Sequence, residues 1–118
     1  MRLNDPNTID YLGIEKESGG VIVTLIDDCD WSDEVQHLVL LQTKINRYFD
    51  FIESGEVYDQ VAKMTGRKVP RTTPVKISIL AKYEPQGEGA RFFEQVSDVA
   101  RDVGVSFSVK VLSIRDIS

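Results

Sequence analysis

The chemistry in this sequence is concentrated in one run, Asp27-Asp28-Cys29-Asp30-Trp31-Ser32-Asp33-Glu34, with His37 close behind. Five carboxylates so near one another admit three uses. Hard divalent cations take several oxygen ligands, so a small metal-dependent enzyme centred on this turn and His37 is one. A negative surface that attracts a basic protein is the second. A solvated loop whose acids face a helix N-terminus is the third. The spacing is not that of a calcium loop, because no glycine stands at the sharp-turn position and no bidentate Glu at position twelve. His37 is the only histidine, and no Ser, Cys or Asp stands at motif spacing to it, so it is expected to be a partly buried structural residue. Cys29 is the only cysteine, and the acids on either side should raise its pKa rather than activate it. Gly87-Glu88-Gly89 lacks the third glycine and the Lys-Ser/Thr of a phosphate loop. Arg67, Lys68 and Arg71 make a small basic loop.

The elements that must hold these residues follow from periodicity. Ile9 to Glu17 and the β-branched run Val21 to Asp27 flank Ser18-Gly19-Gly20, which predicts two antiparallel strands joined by a hairpin. Ser32 is the expected N-cap of a long helix, with Trp31 packing on Val35 or Leu38 as a staple. Leu38, Leu41, Ile45, Tyr48 and Ile52 recur at spacings of three and four and predict its apolar face. Gln42, Lys44, Asn46 and Arg47 then fall on its polar flank. Val57, Val61 and Met64 predict a second short helix, closed by Gly66. Two prolines and two threonines make residues 67–74 a loop. Val75 to Tyr83 alternates strictly and predicts a strand with one buried face. Phe92, Val96, Val99 and Val103, joined by Phe93 and Ala100, predict a helix, and Val105 to Val111 a last strand. The order β-β-α-(α)-β-α-β predicts a two-layer α/β (α+β) sandwich, a four-stranded sheet with two long helices on one face, in one domain spanning 1–118. Strand order is not readable, but the last two strands should be parallel if they are neighbours.

Composition narrows the function. The chain has 118 residues, 42% apolar and 28% charged, with a net charge of −5. That length buries about two-thirds of its unfolded surface without disulfides. One cysteine fits a reducing, cytoplasmic setting. The polar start, Met1 to Asp10, is no secretory signal, and no run approaches a membrane span. The acidic balance argues against nucleic acid. It is also uneven. Residues 1–60 carry four bases against thirteen carboxylates, a net −9, and residues 61–118 ten bases against six, a net +4.

Several stretches together resemble a small bacterial family of unknown function. They are Asp30-Trp31, His37, Leu41-Gln42, Lys44-Ile45-Asn46, Tyr48 and the run Phe51-Ile52-Glu53-Ser54-Gly55-Glu56, with Ala81-Lys82-Tyr83 and Phe92-Phe93-Glu94-Gln95-Val96 further on. The resemblance covers roughly Ile9 to Val111 and implies a stand-alone bacterial domain with no established activity and no catalytic residues to carry over. The charge split and the lack of any catalytic constellation predict a non-catalytic binding module: an immunity protein that neutralises a bacterial toxin, such as a nuclease domain, through an acidic surface. The expected partner-binding residues are Asp27, Asp28, Asp30, Trp31, Asp33, Glu34, Glu53, Glu56 and Asp59. No cofactor or metal is assigned on this reading, and the chain is expected to be a monomer or homodimer. The alternatives are the metal-dependent enzyme described above and a homo-oligomeric scaffold.

Overall fold

The structure is a computed structural model that describes Asp5 and residues 8–112. Most of the polar start read from Met1 to Asp10, and the last residues of the 1–118 span, lie outside the described residues. The elements run β1 (Tyr11–Ile14), β2 (Val21–Asp27), α1 (Glu34–Glu53), α2 (Glu56–Thr65), β3 (Val75–Ala81), α3 (Glu88–Asp102) and β4 (Ser106–Val111). This is the predicted order. The four strands form one sheet in the order β1-β2-β3-β4. β1 is antiparallel to β2, and β2, β3 and β4 are parallel to one another. A sheet whose parallel strands advance in one direction, with right-handed crossovers, receives every crossover helix on the same side. The helices accordingly form one layer, in which α1 touches both α2 and α3.

Strand alternation divides the sheet into two faces. Val21, Val23, Leu25, Ile77 and Ile79 point to the helices and are fully buried. Phe107 and Val109 continue that face on β4, in register with Ile77 and Ile79. Among the described residues the opposite face carries no helix. It presents Ile22, Thr24 and Ile26 of β2, Lys76, Ser78 and Leu80 of β3, and Ser106, Ser108 and Lys110 of β4, paired in rows.

Several local expectations shift. β1 has four residues, because Glu15 already turns the chain: its N–H donates to the Gly20 carbonyl and its carbonyl accepts from Gly19 N–H, both at 2.8 Å. Asp33 rather than Ser32 is the N-cap of α1, its carboxylate accepting the Gln36 N–H at 3.1 Å. Trp31 does not staple onto Val35, which is 74% exposed. On α3 the core positions are Gly89, Phe93, Val96 and Ala100, while Val99 and Val103 face solvent.

Candidate functional site

The predicted acidic cluster begins at the last residue of β2. Alternation turns Asp27 toward the helices, and its side chain is buried rather than part of a surface patch. That removes it from the expected partner-binding set. Both of its oxygens lie against His37 Nε2, at 2.8 and 2.7 Å. His37 is 0% exposed, because it occupies the inward face of the first turns of α1. The Trp31 ring stacks on the imidazole with centroids 3.7 Å apart. It also lies so close to Gly89 of α3 that a Cβ there would come within 2.6 Å of it. The cluster therefore ties the β2–α1 turn to both helices beside it. Burial pushes the Asp27 carboxyl above the usual aspartate range, against the pull of His37. His37 Nδ1 and Trp31 Nε1 are buried without a hydrogen-bond partner. A histidine and an aspartate at this distance could in principle move protons, but acid–base catalysis needs the substrate within hydrogen-bond reach. Both groups are sealed from solvent, and their contact joins α1 to β2.

A second buried pair lies two turns further along α1. Lys44 Nζ donates to both oxygens of Asp10 at 3.0 and 3.1 Å, with side-chain exposures of 0% and 1%. Asp10 also accepts the Ile26 N–H at 2.8 Å. One turn on, the Tyr48 hydroxyl donates to the Thr24 carbonyl at 2.9 Å and accepts the Asp10 N–H at 3.2 Å. Burial raises the Tyr48 pKa well above the ordinary tyrosine value. The inner face of α1 thus alternates apolar contacts, Leu41 and Ile45, with polar pins at His37, Lys44 and Tyr48. Lys44, expected on the polar flank, is instead among the largest fully buried side chains.

The remaining predicted residues do not form one patch. Asp28, Asp30 and Asp33 are exposed and Glu34 half-exposed at the start of α1, while Glu53, Glu56 and Asp59 are exposed at and just beyond its end. The 20 residues of α1 separate the two groups by about 30 Å. At the first end, hydrogen bonds from the Ser32 hydroxyl and N–H hold the Asp30 carboxyl below its ordinary range. Burial and the surrounding carboxylates push the Cys29 thiol up. Trp31 is only half-exposed, so that end is charged but offers little apolar surface. No group of three His, Cys, Asp or Glu side chains is placed to hold a metal ion among the described residues. The metal-dependent reading therefore lacks a ligand set there. At the second end, Asp59 pairs with Arg71 at 3.2 Å, both exposed. Arg71 also donates to the Gly55 carbonyl. Of the predicted patch, then, Asp59 is the one surface carboxylate that the basic loop engages.

The second end opens into a groove of about 680 Å³. One wall is Ile9, Asp10, Tyr11 and Leu12, and the other is Arg47, Asp50, Phe51 and Ser54 of α1 with Glu56, Gln60 and Met64 of α2. Met64 is 62% exposed, whereas the Tyr11 ring, in register with Thr24, lies over Gly13 on the open face of the sheet. Only Glu56 was among the expected partner-binding residues. The others belong to three elements far apart in the chain, and no local motif links Tyr11 to Asp50 or Met64. The sequence of residues 1–113 matches a family model described as a family of unknown function, DUF6572. The chain belongs to that family. No curated protein and no solved structure matches the chain. The family carries no assigned activity, so the functional reading rests on the geometry. No helix among the described residues is long and apolar enough to cross a membrane.

Proposed function

We propose that this member of the DUF6572 family is a non-catalytic protein-binding module that docks a basic protein in the groove between β1, α1 and α2. In its most specific form the reading is an immunity protein that holds a bacterial toxin, such as a nuclease domain, inactive in the cytoplasm. The observation that carries it is the groove itself. Concave sites with accessible aromatic and Met side chains supply the anchoring contacts of interfaces, and here Phe51 and Met64 lie beside the carboxylates of Asp50 and Glu56. A nuclease presents positive potential to phosphates, and a negative rim both steers and orients such a surface. The acids at the far end of α1 add to the long-range field without touching the groove. The enzyme reading has less support, because the one histidine and its carboxylate are enclosed.

The test is to mix the protein with the product of the reading frame beside its own gene and to follow association over a range of salt. A complex should form, with an on-rate that falls steeply as ionic strength rises. Asp50→Lys with Glu56→Lys should weaken it far more than Asp28→Lys with Asp30→Lys. Absence of a complex at every ionic strength rejects the reading for that partner. Equal sensitivity to both pairs of substitutions rejects the groove as its centre.

A further inference from the structure

We infer that β1 receives an extended segment of the partner as an added strand, whose alternate side chains enter the groove. The inference rests on the proposed docking of a basic protein there, and it specifies how that protein is gripped. β1 is an edge of the sheet among the described residues, with β2 as its neighbour. The direction of its backbone groups follows from the ladder. Glu15 N–H points to Gly20, and in an antiparallel pair the inward-facing positions recur every second residue. Gly13 and Tyr11, in register with Ile22 and Thr24, therefore also face β2. Leu12 and Ile14 turn their N–H and C=O groups outward. Val21, opposite Ile14, supports this phase, because its own N–H points the other way, to the Pro74 carbonyl at 2.9 Å.

Two donors and two acceptors thus point away from β2 beside a groove that Leu12 itself lines, those of Ile14, 37% exposed, the more open and those of Leu12, 8% exposed, the deeper. Natural sheets protect such edges with charge, proline, a covering element or a short strand. β1, Tyr-Leu-Gly-Ile, is short but has neither charge nor proline. Strand addition takes its affinity from main-chain hydrogen bonds and its specificity from pockets for every second side chain. The pocket here offers Phe51 and Met64 for an apolar side chain and the carboxylates of Asp50 and Glu56 for a basic one. No described residue forms a salt bridge with either carboxylate, though Arg47 lies on the same wall. The fitting segment is extended, with an apolar and a Lys or Arg side chain two residues apart.

The test uses the full chain and two synthetic peptides, Ser-Lys-Thr-Val-Thr-Lys-Thr-Ser and the same peptide with Glu in place of Lys, followed by amide NMR. The lysine peptide should shift the Leu12 and Ile14 amides and slow their exchange, and the glutamate peptide should not. Ile14→Pro removes an outward N–H, a position where an edge strand tolerates proline. It should weaken the lysine peptide about tenfold or more. Asp50→Lys with Glu56→Lys should erase the preference between the peptides. If Ile14→Pro fails to fold, amide exchange in the unaltered chain decides. Unchanged exchange at Leu12 and Ile14 with the lysine peptide at millimolar concentration overturns the inference. If a whole basic partner binds in an Asp50- and Glu56-dependent way while those two amides exchange as before, strand addition falls and groove docking stands. If the peptide pairs with β1 but the neighbouring gene's product forms no complex, the immunity reading falls and the strand-accepting edge stands.

Discussion

Replacing His37 by leucine tests whether the buried pair fastens α1 to β2. Leucine keeps most of the bulk beneath Trp31 but leaves the Asp27 carboxyl in its closed site without Nε2, which lies 2.7–2.8 Å from its oxygens. Breaking a buried pair by removing one partner costs about 3–5 kcal/mol. The carboxyl has an escape, because it can fold protonated. Starting from the ordinary value of 3.8, taking up that proton costs about 4 kcal/mol at pH 7 and about 2 kcal/mol at pH 5. The electrostatic part of the deficit is therefore capped near those values. At about 4 °C per kcal/mol for a chain of this size, melting should fall by about 12–16 °C at pH 7.

The sign of the pH dependence is the sharper result. Burial raises the Asp27 pKa in the folded protein, so the folded chain retains a proton that the unfolded chain has released. The stability this carboxyl contributes is complete below its unfolded value and is lost as pH rises through the raised one. Removing His37 takes away the interactions that lower the Asp27 value, so in His37→Leu the loss extends to higher pH. Thermal melts of the native chain and His37→Leu between pH 5 and 7.5 should diverge as pH rises. Adding Asp27→Asn should recover much of the deficit and remove its pH slope, because no charge then remains to be buried. A deficit under about 1 kcal/mol, within the range of ordinary substitutions, or one that is constant with pH, would refute the reasoning.

Other positions make simpler demands. Gly89→Ala places a methyl 2.6 Å from the Trp31 ring, and overpacking should cost about 1–3 kcal/mol, with a change in tryptophan fluorescence that reports the displaced ring. Gly55 has φ +82° and its Cβ position is filled by the Arg71 guanidinium. Gly55→Ala should therefore cost more than the roughly 1–2 kcal/mol of a left-handed residue alone, and adding Arg71→Ala should recover the excess in urea unfolding. Asp33→Ala removes the carboxylate that caps α1 and should cost about 1 kcal/mol by urea unfolding. Ser32→Ala, which touches no cap, should cost less.

Much of the fold was legible because its signals are local. The alternation of Val75 to Ala81 and the spacing of Leu41, Ile45 and Tyr48 are properties of short windows, and both survive in the structure. What failed depends on contacts between distant segments. Periodicity counts apolar residues, so it assigned Lys44 to the polar flank. Its inward place becomes intelligible only when Asp10, 34 positions earlier, arrives beneath it. Asp27 looked like one acid among five until strand parity sent it inward and its neighbours outward. The groove was least legible of all, because its walls come from the β1 region, α1 and α2, and only the antiparallel pairing of β1 with β2 brings Leu12 to the same groove as Asp50 and Met64.

The charge asymmetry of the sequence acquires a direction in space. The three helices hold nine carboxylates against five bases, and Lys44, one of those bases, is already paired with Asp10. On the open face of the sheet, Lys76 and Lys110 stand among serines, isoleucines and a leucine, and the strand positions there include no carboxylate. The proposed basic partner would therefore be drawn to the helix layer rather than to the open face. The potential orients an approaching partner before contact, because surface fields act over roughly a Debye length, about 8 Å at physiological salt. The groove lies between the helix layer and the β1 edge of the sheet. The pins at Lys44 and Tyr48 tie α1 to Asp10 and Thr24, so the groove's two walls are joined by buried polar contacts. A site held in this way gains affinity by needing little reorganisation on binding. Loosening Tyr48 should therefore weaken partner binding even though Tyr48 does not line the groove. Tyr48→Phe keeps the ring and deletes only the hydroxyl contacts to Thr24 and Asp10, so a lower affinity with an unchanged on-rate would separate wall rigidity from charge steering. An affinity equal to that of the native chain would show that the walls do not need the pin.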